Sequence, residues 1–269
     1  MGGEGVNSGP AMSRDDNVSD DAFLGGALNI LQPRNGYRAG LDAVMLAASV
    51  PADQSRPLRV LDVGAGVGTA GLCLARRAKF AEVVLLEKEP ELVALAQENI
   101  DRNQLADRVR AVTGVVGASA TELRAVGLVE ESFGHVIANP PFHDTQSGTL
   151  APNALKAGAH AMPDTELDAW ARFMARMTAP GGEATIIHKV DALGRLLAVL
   201  SSRFGAIKVL PLHPRAGEDA HRILIQGTKG SRAPLQLLPD FVLHEDGNAF
   251  TPAAQSILRG GAALDMSTS

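Results

Sequence analysis

One cysteine, one tryptophan and one tyrosine in 269 residues exclude several kinds of protein at once. The lone Cys73, set among Leu72, Leu74 and Ala75, cannot close an intramolecular disulfide, so a disulfide-stapled secreted scaffold is excluded and a reducing compartment is expected. A buried core thiol is the expectation for it. The seven histidines show no zinc-type spacing, and with a single cysteine no structural metal is expected. No apolar run approaches the roughly 20 residues that a membrane-spanning helix requires, so no membrane association is expected. A net charge of −5 argues against a protein that coats nucleic acid through bulk electrostatics alone. Residues 1–23 are rich in Gly, Ser, Asn and Asp and carry no apolar core of a signal peptide; they read as a disordered arm on a cytoplasmic protein.

What remains is an ordinary soluble composition, 45% hydrophobic and 20% charged, on a chain long enough to bury a large α/β core. Residues 24–57 read as an N-terminal covering segment, 58–230 as the core and 231–269 as a tail packed on it. Leu41 to Val50 is a helix-competent run with Asp42 at its start, where a carboxylate suits the helix dipole. From Leu58 onward short apolar runs alternate with helical patterns. Strands are expected at Leu58 to Val63, Glu82 to Leu86, Val109 to Thr113, Phe133 to Ala138 and Ala184 to His188, with helices between them. Pro180-Gly181-Gly182 reads as a turn. The last two runs, Ile207 to Leu212 and Arg222 to Gly227, are joined too closely for a crossover helix and should pair antiparallel. The expected fold is a doubly wound seven-stranded sheet, parallel except for a C-terminal antiparallel hairpin, with helices on both faces. Its site should lie beyond the carboxyl ends of the strands.

Asp62-Val63-Gly64-Ala65-Gly66-Val67-Gly68 follows the first of these buried strands and opens a helix. Small residues there let backbone approach a nucleoside ligand at a helix N-terminus. Glu87, 19 residues beyond Gly68, ends the next strand, where its carboxylate can accept both hydroxyl protons of a ribose. Gly66-x-Gly68-x-x-Gly71 also meets the dinucleotide pattern, which keeps a nicotinamide-dependent oxidoreductase as a reading from a different class. The spacing of Gly64, Gly66 and Gly68 by two, after Asp62 within the strand, resembles motif I of Rossmann-like methyltransferases. In that resemblance Asp62 anchors the loop and the methionine end of S-adenosylmethionine.

Asn139-Pro140-Pro141-Phe142 comes directly after the fourth strand. An exocyclic amine on a purine is a poor nucleophile because its lone pair is delocalised into the ring. Two acceptors, the Asn139 amide oxygen and the Pro140 backbone oxygen, can hold both N–H groups and direct the lone pair at a methyl donor. Prolines keep such acceptors aimed because φ is restricted and no N–H competes. Phe142 offers a flat face for the base. No strong base is needed, because the amine becomes acidic as it is methylated.

With both motifs in order, the chain resembles the bacterial tRNA valine adenine-N6 methyltransferase family over about Leu24 to Ala263. Its specific segments are Gln32 to Asp42, Asp62 to Gly68, Asn139 to Phe142, Arg215 to Lys229, and Leu243-His244-Glu245 through Ile257-Leu258-Arg259-Gly260. The resemblance implies S-adenosylmethionine as cofactor and tRNA as substrate. It implies that Gly36-Tyr37-Arg38 and Asp42 cover the methionine end, with Arg38 available to its carboxylate. Ala65 and Lys88, beside the loop and Glu87, belong to the same expected cofactor set. After the third strand the usual acid near the cofactor adenine is absent, so Gly114 and Val115 are expected to hold that ring by backbone groups and apolar contact. Ribosomal RNA guanine-N2 methyltransferases share Asn-Pro-Pro-Phe followed by His, here His143, and protein glutamine methyltransferases share Asn-Pro-Pro; both remain as alternatives. Ten Lys and Arg against four Asp and Glu between Trp170 and Arg232 favour RNA, with Arg215, Arg222, Lys229 and Arg232 as candidate phosphate contacts. His188 and Lys189 read as surface residues near the site, and Trp170 as core packing.

Overall fold

The computed structural model describes residues 17–35, 38–51, 57–141 and 164–266. The chain opens with a hairpin, β1 (Val18–Phe23) and β2 (Leu28–Pro33), followed by helix α1 (Leu41–Ala48). Strands and helices then alternate: β3 (Leu58–Val63), α2 (Thr69–Arg77), β4 (Ala81–Glu87), α3 (Pro90–Arg102), β5 (Val109–Thr113), α4 (Ala120–Ala125), β6 (Phe133–Ala138), α5 (Asp164–Met177), β7 (Thr178–Lys189) and α6 (Leu193–Ser201). β8 (Phe204–Arg215), β9 (Arg222–Lys229), β10 (Gln236–Leu237), β11 (Phe241–His244) and α7 (Pro252–Leu258) complete it. Local chemistry sets several helix starts: Pro90 takes the first position of α3, Ser119 and Glu122 form a reciprocal capping box on α4, and the Thr251 side chain caps α7.

The main sheet runs β10-β8-β9-β7-β6-β3-β4-β5, with β11 also paired to β8. β3 to β7 are mutually parallel, and β9 is antiparallel to both β7 and β8. This is the doubly wound arrangement read from the sequence, enlarged from seven strands to nine by β10 and β11, two short strands parallel to β8. Apolar side chains of α1, α2, α3 and α7 pack on one face, and those of α4, α5 and α6 on the other. Pro180-Gly181-Gly182 lies inside β7, where the register to β6 shifts between Phe133 and His135, and Gly181 takes a positive φ of 74°.

Part of the expected arm is regular structure. Val18–Phe23 is a strand in full register with Leu28–Pro33, tied down by ion pairs of Asp20 with Arg102 and of Asp21 with Arg38. The outer edge of β2 finds a ladder made of side chains. Asn99 accepts from the Leu31 N–H and donates to its carbonyl, and Asn103 does the same for Asn29. The Asn99 amide also donates to the carbonyl of Val67 in the glycine loop. Residues 1–16 of the arm lie outside the described residues.

Candidate active site

At the carboxyl edge of β3, β4, β5 and β6 lies a cavity of about 640 Å³. β3 contributes Asp62 and the loop that follows it, β4 contributes Glu87, β5 leads to Gly114 and Val115, and β6 leads to Asn139. Parallel strands in register bring these ends together, as the sequence reading expected.

Each glycine of the loop has its own reason. A Cβ on Gly64 would come within 2.5 Å of the Trp170 ring, and one on Gly68 within 2.6 Å of Leu85. A Cβ on Gly71 would reach 2.3 Å from Leu85, so that glycine, the last of the dinucleotide-type pattern, serves packing of α2 on the sheet. Gly66 differs: at φ +57° its Cβ would meet nothing within 4 Å, and it lines the cavity. The space above it is left for a ligand, which is the cradle that the fit of a nucleoside cofactor demands. Gly68 shapes the loop without forming cavity wall.

Asp62 is buried and accepts the Gly71 N–H at 2.9 Å. Loss of hydration pushes its carboxyl up to about 7, and the nearby Glu87 charge adds to the rise. Glu87 is fixed by three main-chain N–H groups, from Gly66 at 2.9 Å, Lys88 at 2.8 Å and Glu89 at 3.1 Å. Its carboxylate therefore ties the loop to the end of β4. Lys88 is exposed and pairs with Glu89 while lining the cavity, and Ala65 lines it beside Gly66. Val115 is 50% exposed, an apolar surface turned to the cavity beside Gly114, which suits an aromatic ring. Asn139 and Pro141 are wall residues, and Pro140 between them is buried.

Several expectations are corrected. Arg38 Nη2 donates to both carboxylate oxygens of Asp21, at 2.7 and 2.8 Å, and Arg38 is not in the cavity wall. Asp42 pairs with Arg222 at 2.9 Å, so both are engaged with each other rather than with the cavity. The four candidate RNA contacts do not form one surface. Arg215 and Arg222 stand at the carboxyl edge, near the site, but β9 runs antiparallel and carries Lys229 and Arg232 to the amino edge, about 23 Å away at strand rise. Lys229 there donates to Glu131 and to the carbonyls of Ala175 and Thr178. His188 is buried, not a surface residue, and loss of hydration lowers its imidazole from the usual range. Tyr37, Phe142 and His143 lie outside the described residues.

Among the wall residues that escaped the sequence reading are Gln32, Trp170 and Thr69. Gln32 holds both main-chain groups of Ala39 and so ties the end of β2 to the residues just before α1. Trp170 belongs to the core as expected, yet its ring also forms wall against Gly64. Thr69, the first residue of α2, is buried and lines the cavity. The signal for Thr69 was a hydroxyl directly after Gly68 in an otherwise apolar helix start.

Such a cavity, with a glycine cradle at a helix N-terminus, a carboxylate ending the next strand and Asn139-Pro140-Pro141 beside them, fits the S-adenosylmethionine-dependent methyltransferase class of nucleoside-cofactor enzymes. Comparison with known proteins narrows this. Residues 41–165 match the family model of the methyltransferase small domain. A solved structure described as a predicted O-methyltransferase from Agrobacterium tumefaciens is 33% identical, covers 83% of this chain and 98% of its own, and superposes with a TM-score of 0.69. The chain belongs to this family of S-adenosylmethionine-dependent methyltransferases. Among curated relatives, the tRNA1(Val) (adenine(37)-N6)-methyltransferase of Dyadobacter fermentans is 28% identical over 86% of this chain and 92% of its own. The protein of the same name from Shewanella sp. strain W3-18-1 is 27% identical over 70% of this chain and 76% of its own. The oxidoreductase reading is thereby overturned.

Proposed function

We propose that this methyltransferase modifies an exocyclic amino nitrogen, adenine N6 of a tRNA, and works in the cytoplasm with that substrate. The observation that carries the reading is Asn139 in the wall of the cofactor cavity, followed by two prolines at the end of β6. When bound, S-adenosylmethionine supplies an electrophilic methyl. The Asn139 amide oxygen and the Pro140 carbonyl accept the two N–H groups of the acceptor, so its lone pair is turned toward that methyl. Glu87 receives the ribose hydroxyls, Asp62 the cofactor ammonium, and Val115 the adenine face. An alcohol acceptor would need a base at the reacting oxygen, and an asparagine amide is none, which favours nitrogen over oxygen. The names of the curated relatives support adenine in tRNA over guanine or a protein amide.

The test is transfer of tritium from labelled S-adenosylmethionine to fractionated tRNA, ribosomal RNA and protein, followed by nucleoside identification. N6-methyladenosine in tRNA is expected, and Asn139→Ala should lower its formation about 100-fold or more while leaving cofactor affinity nearly unchanged. N2-methylguanosine, or label in protein alone, would replace the adenine reading.

A further inference from the structure

The carboxylate of the cofactor's methionine end has lost the partner that family resemblance gives it, since Arg38 is held by Asp21 outside the cavity wall. The structure offers another. Thr69 is only 1% exposed, lines the cavity, and its Oγ1 finds no hydrogen-bond partner among the described residues. A buried hydroxyl left without a partner costs free energy, and such groups in native structures mark places where something else binds. Thr69 is also the first residue of the nine-residue helix α2, whose N-terminus carries the positive end of the helix dipole. The neighbouring acid, Asp62, already accepts the Gly71 N–H across the same turn.

We infer that the Thr69 hydroxyl and the N-terminus of α2 bind the α-carboxylate of the cofactor, in place of Arg38. The hydroxyl donates a hydrogen bond to one carboxylate oxygen, and the dipole favours the negative charge. Asp62 then faces the ammonium, so the two charged groups of the amino-acid end are sorted between a dipole and a carboxylate set seven residues apart in sequence.

Calorimetry with two probes tests this: S-adenosylhomocysteine, and its decarboxylated analogue S-adenosyl-3-thiopropylamine, which keeps the amine. Thr69→Val should weaken S-adenosylhomocysteine about tenfold and leave the analogue unchanged, and Thr69→Ser should retain most of the native affinity. Thr69→Ala serves in place of the valine variant if melting shows that valine is not accommodated. Arg38→Ala should change neither ligand by more than about twofold. Equal losses for both probes in Thr69→Val would assign the hydroxyl to loop shape and overturn the inference. An unchanged S-adenosylhomocysteine affinity, or a larger loss in Arg38→Ala, would overturn it as well.

Discussion

The two ends of α2 treat polar groups in opposite ways. At its N-terminus, on the carboxyl edge of the sheet, Thr69 and Gly66 face a cavity. At its C-terminus, on the amino edge, Arg77 donates to the carbonyls of Ala47, Ala48 and Val50 and so closes the end of α1. The same edge engages Lys229 with two carbonyls and Glu131, and Arg176 with Glu130 and the Ala118 carbonyl. Arg77, Arg176 and Lys229 near the amino edge are structural clamps, whereas at the carboxyl end Gly66 and Thr69 leave room and a hydroxyl for a ligand. A sequence count of positive charge pools the two.

The largest effect that could break this contrast is on stability. Arg77→Ala should cost about 3 kcal/mol, because buried carbonyls at the end of α1 lose their donor, and should leave S-adenosylhomocysteine affinity unchanged once the protein is folded. Urea denaturation and calorimetry together check it; a loss of ligand affinity comparable with the loss of stability would show that the edges are not independent.

A second effect opposes the two regions through pH. Burial and the Glu87 charge raise Asp62 to about 7, so in the ligand-free protein its stabilising contribution is present at low pH and is lost as pH rises from about 4 to about 7. Burial, with the charge of Arg77 nearby, lowers His135 to about 3, so its contribution is present above about 6.5 and is lost as pH falls. Between pH 5 and 6 the two slopes oppose each other. Asp62→Asn should therefore lose about 1.4 kcal/mol on going from pH 6 to pH 5, and His135→Gln should gain about as much, each relative to the wild type's change. Slopes of the same sign in the two variants would contradict the assignment.

The smallest effect concerns Arg232, exposed on the amino edge. Arg232→Glu should alter stability by less than about 0.5 kcal/mol and methyl transfer to RNA not at all. A loss of RNA affinity in a filter-binding assay would show that the substrate reaches around to that edge.

The alternating core was legible because each of its strands is a short apolar run bounded by glycine, proline or charge, and because parallel strands force their ends to one edge. That rule puts Asp62, Glu87 and Asn139 at one edge, while their expected roles came from the glycine spacing, the Asn-Pro-Pro-Phe chemistry and the family resemblance. The hairpin was not legible: Val-Ser-Asp-Asp-Ala-Phe has no apolar alternation, and the outer edge of β2 is satisfied by Asn99 and Asn103, 68 and 74 residues further along. With β1 read as disordered, the pairing of Asp21 with Arg38 could not be anticipated. Arg215, Arg222, Lys229 and Arg232 are close in sequence, but one extended strand separates the first two from the last two.

Asn99 is a single amide that gives one N–H to Leu31 of the hairpin and the other to Val67 of the glycine loop. Gln32 and Pro33 of that hairpin and Val67 of that loop all line the cavity, so one side chain sets the spacing between two of its walls.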